Sequence, residues 1–191
     1  MVAEPILIVA KLARVLDDLG IPYVVGGSLA SSVYGTPRAT LDADLVADVT
    51  LAHLDPVAQA LAKDFHVDRQ LVREAVQQRG SFNIVYLATM FKVDVFVSRG
   101  DAWSREELSR GRVEEFETAH GRVSIRFASP EDTVLHKLFW YKLGNEVSDR
   151  QWGDVVGMLN VQGDSLDQAY LDRWAGSLGV AELLARARRA R

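Results

Sequence analysis

The segment of residues 24–45 constrains the fold more than any other, because it combines a glycine turn with a pair of acidic residues. An apolar run ends in Gly26-Gly27-Ser28, which predicts a strand followed by the start of a short helix. Asp42 and Asp44 then begin a second predicted strand. Because strand side chains alternate between faces, both carboxylates point the same way. Two like charges side by side repel each other, and a divalent cation between them relieves the repulsion.

A third acidic residue, Asp94, lies within the apolar run of residues 91–97. A carboxylate in such a strand is costly to bury without a partner. If this strand lies beside that of Asp42 and Asp44, three carboxylates converge, and three acids can bind two Mg²⁺ ions for phosphoryl transfer. Asp94 is then expected to serve partly as a metal ligand and partly as the general base for an incoming hydroxyl.

The glycine turn has the chemistry of a phosphate-binding site. Gly26 and Gly27 allow backbone N–H groups to approach a phosphate closely, and Ser28 adds a hydroxyl. The N-terminus of the predicted helix adds a favourable dipole. A phosphate site beside a Mg²⁺ site is therefore the first functional hypothesis.

Composition narrows the function classes further. The chain has 191 residues, enough for one domain or two small lobes, and it has no cysteine, which excludes disulfides, thiolate metal sites and a cysteine nucleophile. The net charge of −4 means that an acidic ligand must be bound by local basic groups or by metal. The first residues do not resemble a signal peptide and no apolar run is long enough for a membrane span, so a cytoplasmic protein without a membrane partner is expected.

Hydrophobic periodicity and capping signals predict an α+β fold: a mixed β-sheet lobe with flanking helices, followed by a helical C-terminal lobe. Three parts are predicted: the sheet core (1–100), a peripheral connection with an edge strand (101–128) and the helical lobe (129–191). The predicted helices are 4–19, 28–34, 51–63, 69–77, 129–143, 148–160, 166–177 and 180–190, and the predicted strands are 21–25, 41–49, 81–87, 91–97 and 122–127.

The order of these motifs resembles the nucleotidyltransferase superfamily that includes DNA polymerase beta. Val25-Gly26-Gly27-Ser28 is followed by thirteen intervening residues and then by Asp42-Ala43-Asp44-Leu45, and Asp94 matches the third acid of that superfamily. The resemblance covers residues 20–98. It implies that residues 1–100 form the catalytic core of an Mg²⁺-dependent enzyme, which transfers a nucleoside monophosphate from a nucleoside triphosphate such as ATP to a hydroxyl and releases pyrophosphate.

Within that superfamily, the sequence resembles bacterial AbiE-type toxins and minimal nucleotidyltransferases. Arg38-Ala39-Thr40-Leu41-Asp42 is similar to their lead-in to the acid pair, and Lys137, Arg150 and Asp154 are similar to their downstream positions. Lys137 is predicted to contact the triphosphate, and Arg38 to meet phosphate or shield the acids. Arg150 and Asp154 are four residues apart and are predicted to pair on one helix face.

The resemblance implies an RNA acceptor such as the 3′ end of tRNA, and a toxin with a cognate antitoxin as partner. The lead-in is also similar to that of antibiotic-modifying nucleotidyltransferases, so a small-molecule acceptor is an alternative, with Glu131, Asp132 and Glu146 as candidate acids for a cationic drug. A third possibility is a non-catalytic nucleotide-binding partner module, which the acidic net charge weakly favours over an RNA-modifying enzyme.

Overall fold

The computed structural model describes residues 4–119 and 121–190. Its α-helices are α1 (Glu4–Asp18), α2 (Gly27–Tyr34), α3 (Leu54–Leu61), α4 (Arg69–Gln78), α5 (Ala102–Arg110), α6 (Pro130–Leu143), α7 (Asp149–Gln162), α8 (Gln168–Ser177) and α9 (Ala181–Arg189). Its strands are β1 (Tyr23–Val25), β2 (Asp42–Ala47), β3 (Phe65–Val67), β4 (Ser81–Tyr86), β5 (Phe91–Val97), β6 (Arg112–Thr118) and β7 (Gly121–Phe127). Short 3₁₀ turns occur at Leu51–His53 and Gly163–Ser165.

The predicted α+β class is confirmed, and the chain forms two compact units. The sheet unit contains Thr40–Phe127 and the chain up to Val25, and the helical unit contains Gly26–Ala39 and the chain from Ala128 onward. The division between Phe127 and Ala128 lies next to the predicted start of the helical lobe at 129, whereas no division falls at 100 and residues 26–39 join the helical unit. Residues 26–39 belong to the helical unit because α2 packs against α6 and α7.

Within the described residues, seven strands form one mixed sheet in the order β3-β4-β5-β2-β1-β7-β6. The predicted hairpin is confirmed, since β4 and β5 pair antiparallel. β2 pairs with β5 in parallel and with β1 antiparallel. The two strands that carry the candidate acids are therefore direct neighbours in the sheet.

The alternating pattern of β2 and β5 gives the sheet one apolar and one polar face in this region. The side chains that point to the apolar face are fully or nearly fully buried: Ala43, Leu45 and Ala47 on β2, and Val93, Val95 and Val97 on β5. Leu12 and Leu16 of α1 and residues of α3 and α4 pack on this face. Burial of this apolar face stabilises the sheet and leaves the intervening positions of both strands on the opposite face.

The structure adds two features to the expectation for residues 101–128. This region contains a helix, α5, and a strand, β6, and it belongs to the sheet unit. The predicted edge strand is interior, because β7 lies between β1 and β6. Ile125 and Phe127 of β7 are fully buried, whereas β6 carries the charged residues that suit an exposed edge. β3 was also not predicted, since its three residues are too few to show a strand period.

Helix α6 begins with a capping residue, as predicted. The Ser129 side chain accepts a hydrogen bond from the Asp132 N–H, and Pro130 occupies the first turn of α6. Helix α2 approaches α7 closely at Gly35, where an added Cβ would lie 2.9 Å from the Met158 side chain. The small residue at this position therefore allows α2 to pack inside the helical unit.

Candidate functional site

Two groups of candidate residues occur, one in each unit, and the first is the acidic face of the sheet. Asp44 on β2 is the register partner of Asp94 on β5, and Asp42 is the register partner of Lys92. Register partners on parallel strands share a face, as do residues two apart on one strand. Asp42, Asp44 and Asp94 therefore lie on one face of two adjacent strands.

The acids differ in their environments. Asp42 is exposed, whereas Asp44 and Asp94 are half-buried. Burial raises the pKa of Asp94 above its usual range, and the negative charge of Asp42 raises it further, while Lys92 acts in the opposite direction. The acidic face therefore carries a carboxylate whose ionised form is disfavoured by burial and like charge, both of which a bound cation would relieve.

The three carboxylates are not arranged as a complete set of metal ligands. Within the part of the chain that the structure describes, no group of three or more His, Cys, Asp or Glu side chains is arranged to bind a metal ion. The Asp42 carboxylate instead accepts a hydrogen bond from the Thr40 hydroxyl at 3.0 Å. Mg²⁺ is commonly bound by one or two carboxylates together with substrate phosphates, so the oxygen donors of this face fit Mg²⁺ in chemical type without a preformed cage.

Two residues near these acids had no role in the sequence interpretation. Asn83 on β4 is the register partner of Asp94, so Asp44, Asp94 and Asn83 form a row across three strands. Lys92 lies on the acidic face two residues before Asp94. The alternation of strand side chains could have indicated the face of Lys92, but the position of Asn83 depends on the β4–β5 register.

The second group contains the glycine turn, in the helical unit. Helix α2 begins at Gly27, whose φ of 59° lies in the left-handed region that favours glycine. An added Cβ on the preceding Gly26 would meet no atom within 4 Å. The backbone is therefore open at a helix N-terminus, where the first N–H groups have no acceptor within the helix.

Replacing Gly27 with alanine is expected to destabilise the protein by about 1–2 kcal/mol, because a Cβ is strained at this φ. The matched control is Gly153→Ala in α7, where an added Cβ meets nothing within 4 Å and where alanine is the better helix former. That control is expected to stabilise the protein by about 0.5–1 kcal/mol. Urea unfolding measures both effects, and a Gly27→Ala protein as stable as wild type would contradict the left-handed turn.

The predicted phosphate contacts Arg38 and Lys137 meet at Asp154. Arg38 Nε and Nη2 donate to the two carboxylate oxygens of Asp154, each at 3.0 Å. Lys137 Nζ lies 2.7 Å from Asp154 Oδ2, and the Lys137 and Asp154 side chains are each only 8% exposed. Two cations thus share one carboxylate, which leaves the group with a net positive charge.

The predicted pairing of Arg150 with Asp154 is wrong. Arg150 is exposed, and in the described structure Asp154 is paired with Arg38 and Lys137. The i,i+4 spacing indicates only that two side chains can reach each other on one helix. Arg38, 116 residues away in the sequence, makes two hydrogen bonds to Asp154. Such a two-bond contact is stronger than an ion pair between exposed side chains on one helix.

The electrostatics of Asp154 reflect this pairing. Burial acts to raise the pKa of Asp154, but hydrogen bonds and charge from Arg38 and Lys137 outweigh burial and lower it. The carboxylate is therefore ionised at neutral pH. It holds the two cations in place through charge-assisted hydrogen bonds.

The acids considered for a cationic acceptor have structural partners instead. Asp132 is fully buried and accepts hydrogen bonds of 2.6 Å from the hydroxyls of Ser129 and Tyr170. Glu131 is also buried and accepts from the Asp167 backbone N–H at 2.9 Å. Glu146 forms an ion pair of 2.9 Å with Arg186. These contacts stabilise the helical unit and give no support to a drug-binding role for the three acids.

Comparisons with known proteins bear on the fold. No protein-family model matches the chain, and no curated protein matches it. The structure is similar to that of an antigenic nucleotidyltransferase-like protein from Paracoccidioides brasiliensis, at 18% identity, over 97% of this chain and 92% of that chain, with a TM-score of 0.54.

It is also similar to the structure of ANT(2″)-Ia in complex with adenylyl-2″-tobramycin, at 10% identity, over 92% of this chain and 97% of that chain, with a TM-score of 0.53. These two matches show a nucleotidyltransferase-like fold, as the sequence predicted. The narrower resemblance to AbiE-type toxins stays a prediction. In the described residues, no helix is both long and apolar enough to cross a membrane.

Proposed function

We propose that this chain is an Mg²⁺-dependent nucleotidyltransferase, acting in the cytoplasm, that moves a nucleoside monophosphate from a nucleoside triphosphate to a hydroxyl acceptor. The observation that carries the proposal is the register of β2 and β5, which sets Asp44 opposite Asp94 with Asp42 on the same face. The nucleotidyltransferase-like fold, matched over 97% and 92% of this chain, supports it.

In this proposal the three carboxylates supply the metal ligands and the base. Asp42, Asp44 and Asp94 would bind two Mg²⁺ ions, which neutralise charge on the triphosphate and on the leaving pyrophosphate. Asp94 accepts the proton of the acceptor hydroxyl. The hydroxyl oxygen bonds to the α-phosphorus, the bond from that phosphorus to the bridging oxygen breaks, and pyrophosphate leaves.

The helical unit contains the residues that we propose bind phosphate. Backbone N–H groups of the Gly26-Gly27-Ser28 turn and the Ser28 hydroxyl are the proposed phosphate donors. Lys137 adds a positive charge, and its contact with Asp154 orients the ammonium group. Arg38 completes the positive group around Asp154.

For the acceptor we favour RNA, such as the 3′ end of tRNA, which would make the chain a toxin with an antitoxin partner. This proposal rests on the resemblance of residues 38–42 to the AbiE-type lead-in. The second candidate is a small hydroxylated molecule, since one structural neighbour was solved in complex with adenylyl-2″-tobramycin. The commitment of Glu131, Asp132 and Glu146 to other contacts weakens the cationic-drug version of that candidate.

Calorimetric titration with Mg²⁺ and each nucleoside triphosphate tests the nucleotide site. Wild-type protein is expected to bind at least one nucleotide, and Asp42→Ala/Asp44→Ala is expected to bind it at least about tenfold more weakly, because it loses metal-binding oxygens. Equal affinity in both proteins would count against the proposed metal site.

The transfer itself is tested with α-³²P-labelled nucleotides, Mg²⁺ and total bacterial RNA. Label in a tRNA-sized band that is absent with Asp42→Ala would support the RNA acceptor. Label only in added aminoglycoside or lincosamide would support the small-molecule acceptor. Tight nucleotide binding without transfer to RNA, protein or small molecules would favour the non-catalytic partner module.

A further inference from the structure

The hydroxyl of Ser28 has a defined role in one hydrogen bond. Arg38 Nη2 lies 2.5 Å from Ser28 Oγ. A guanidinium has donors and no acceptor, so Ser28 must accept in this contact. A hydroxyl has a single proton to donate, and accepting from Arg38 leaves that proton available for another partner. The Ser28 hydroxyl can therefore donate its proton to an anion, which has only acceptor atoms.

The guanidinium that fixes this role is itself tightly held. Its Nε and Nη2 donate to the Asp154 carboxylate, each at 3.0 Å, and its Nη1 donates to the Ala39 carbonyl at 3.3 Å. The Asp154 side chain is only 8% exposed and also contacts Lys137. A planar guanidinium held by two parallel bonds has a fixed orientation, which a point charge would not have.

Ser28 occupies a position where a fixed donor matters. It is the second residue of α2, directly after Gly27, and it is half-buried. Its carbonyl oxygen accepts from the Ser31 hydroxyl at 3.1 Å, which ties the backbone at Ser28 to the next turn of α2. Backbone and hydroxyl at this helix start are therefore both held by hydrogen bonds within the protein.

We infer that Arg38 is a positioning residue, which acts on the triphosphate through Ser28 by leaving the Ser28 hydroxyl proton free for a phosphate oxygen. This inference rests on the proposed function and refines it, because Arg38 then contributes without contacting phosphate itself. Asp154 has the same indirect role one step further away, since it orients Arg38. Lys137 remains the direct basic contact of this group.

A double-mutant cycle tests the inference, with inorganic tripolyphosphate and Mg²⁺ as the calorimetric probe. Ser28→Ala and Arg38→Gln are each expected to weaken binding about tenfold, the effect of one hydrogen bond to a charged group. The double variant is expected to bind no more than about twofold more weakly than Ser28→Ala alone, because both changes remove the same contact. Ser28→Thr keeps the hydroxyl, so Arg38→Gln should again weaken binding about tenfold in that background.

Arg38→Lys separates a loss of binding from a folding defect. It keeps a positive charge beside Asp154 but cannot make two parallel hydrogen bonds to the carboxylate. It is expected to bind tripolyphosphate about as weakly as Arg38→Gln, with a melting temperature near that of wild type. Near-wild-type affinity of Arg38→Lys, or multiplication of the Ser28→Ala and Arg38→Gln effects to about a hundredfold, would overturn the inference and make Arg38 a direct phosphate contact.

The same titrations separate this inference from the proposed function. Wild-type protein that binds neither tripolyphosphate nor any nucleotide would overturn both. Wild-type binding with multiplicative effects would overturn only the role of Arg38. The KM for nucleotide should rise in Arg38→Lys while kcat changes little, since the acidic face is unaltered.

Discussion

Replacing Asp94 with asparagine is expected to reduce nucleotidyl transfer by about 10²- to 10⁴-fold, the usual contribution of a general base. The substitution keeps the shape of the side chain but removes the proton acceptor and one proposed metal ligand. Asp94 lies opposite Asp44 on the neighbouring strand, so the change affects the acidic face directly. The measurement is the initial rate of label transfer from an α-³²P-nucleotide at saturating Mg²⁺.

The matched control is Asp48→Asn. Asp48 is also half-buried and follows β2 directly, but it faces Arg79 at 3.8 Å and belongs to no candidate site. It removes the same charge from the same unit, so its activity should stay within about twofold of wild type. An Asp94→Asn enzyme with wild-type activity, or an equal loss in both variants, would contradict the assignment of Asp94 as base.

The pH dependence of activity follows from the environment of Asp94. Burial, with a smaller contribution from Asp42, raises the pKa of Asp94 above the ordinary aspartate range. Mg²⁺ must displace the proton from this carboxylate, so transfer at limiting Mg²⁺ should fall as the pH decreases, and saturating Mg²⁺ should move that fall to lower pH. For stability the sign is opposite: the raised pKa means that native protein binds the proton more tightly, so this contribution is lost as pH rises through the folded-state pKa. Asp94→Asn is therefore expected to be at least as stable as wild type in EDTA.

The largest expected effect on stability comes from Asp154→Ala, at about 3–5 kcal/mol. Removing this carboxylate leaves Arg38 and the nearly buried Lys137 as neighbouring positive charges without their shared partner. Breaking a buried ion pair costs far more than the pair itself contributes, because a buried charge stays uncompensated. Urea unfolding of wild type and variant measures the loss.

Asp172→Ala is the control for loss of an ion pair at the surface. Asp172 pairs with Arg188 at 2.6 Å, but its side chain is 62% exposed. This variant is expected to lose no more than about 1 kcal/mol. A similar small loss for Asp154→Ala would mean that Arg38 and Lys137 do not depend on Asp154.

Acidification should weaken the contacts of Asp154 with Arg38 and Lys137. The pKa of Asp154 is lowered, since Arg38 and Lys137 outweigh burial. Its contribution to stability is therefore present above the unfolded-state pKa of about 4 and is lost as the pH falls through the lower folded-state pKa. Below about pH 4, wild type should lose stability more steeply than Asp154→Ala in acid titrations of the unfolding free energy.

Several parts of the fold were predictable because their signals are local. The helix start at Ser129-Pro130 depends on a cap and a fixed proline φ, and the predicted helix is confirmed as α6. The β4–β5 hairpin follows from two apolar runs separated by a short connection. The common face of Asp42 and Asp44 follows from the alternation of a strand, whatever the strand packs against.

Other parts depended on contacts between distant segments. The local pattern of residues 122–127 indicated an edge, and only the placement of β6 beyond β7 made that strand interior. Neither α5 nor β6 was predicted within residues 101–121. The many charged residues there obscure the hydrophobic periodicity by which a helix or a strand is identified.

For the candidate site, the local sequence was enough to indicate two acids on one strand face, a third acid on another strand, and a glycine turn at a helix start. Local stereochemistry is sufficient for these features, since strand alternation and the conformational freedom of glycine do not depend on distant residues. The parallel pairing of β2 with β5 and the contact of Asp154 with both Arg38 and Lys137 became evident only in the folded protein. The physical reason is that strand order, register and ion pairing between distant residues are set by how whole elements bury their apolar faces, which no short sequence window contains.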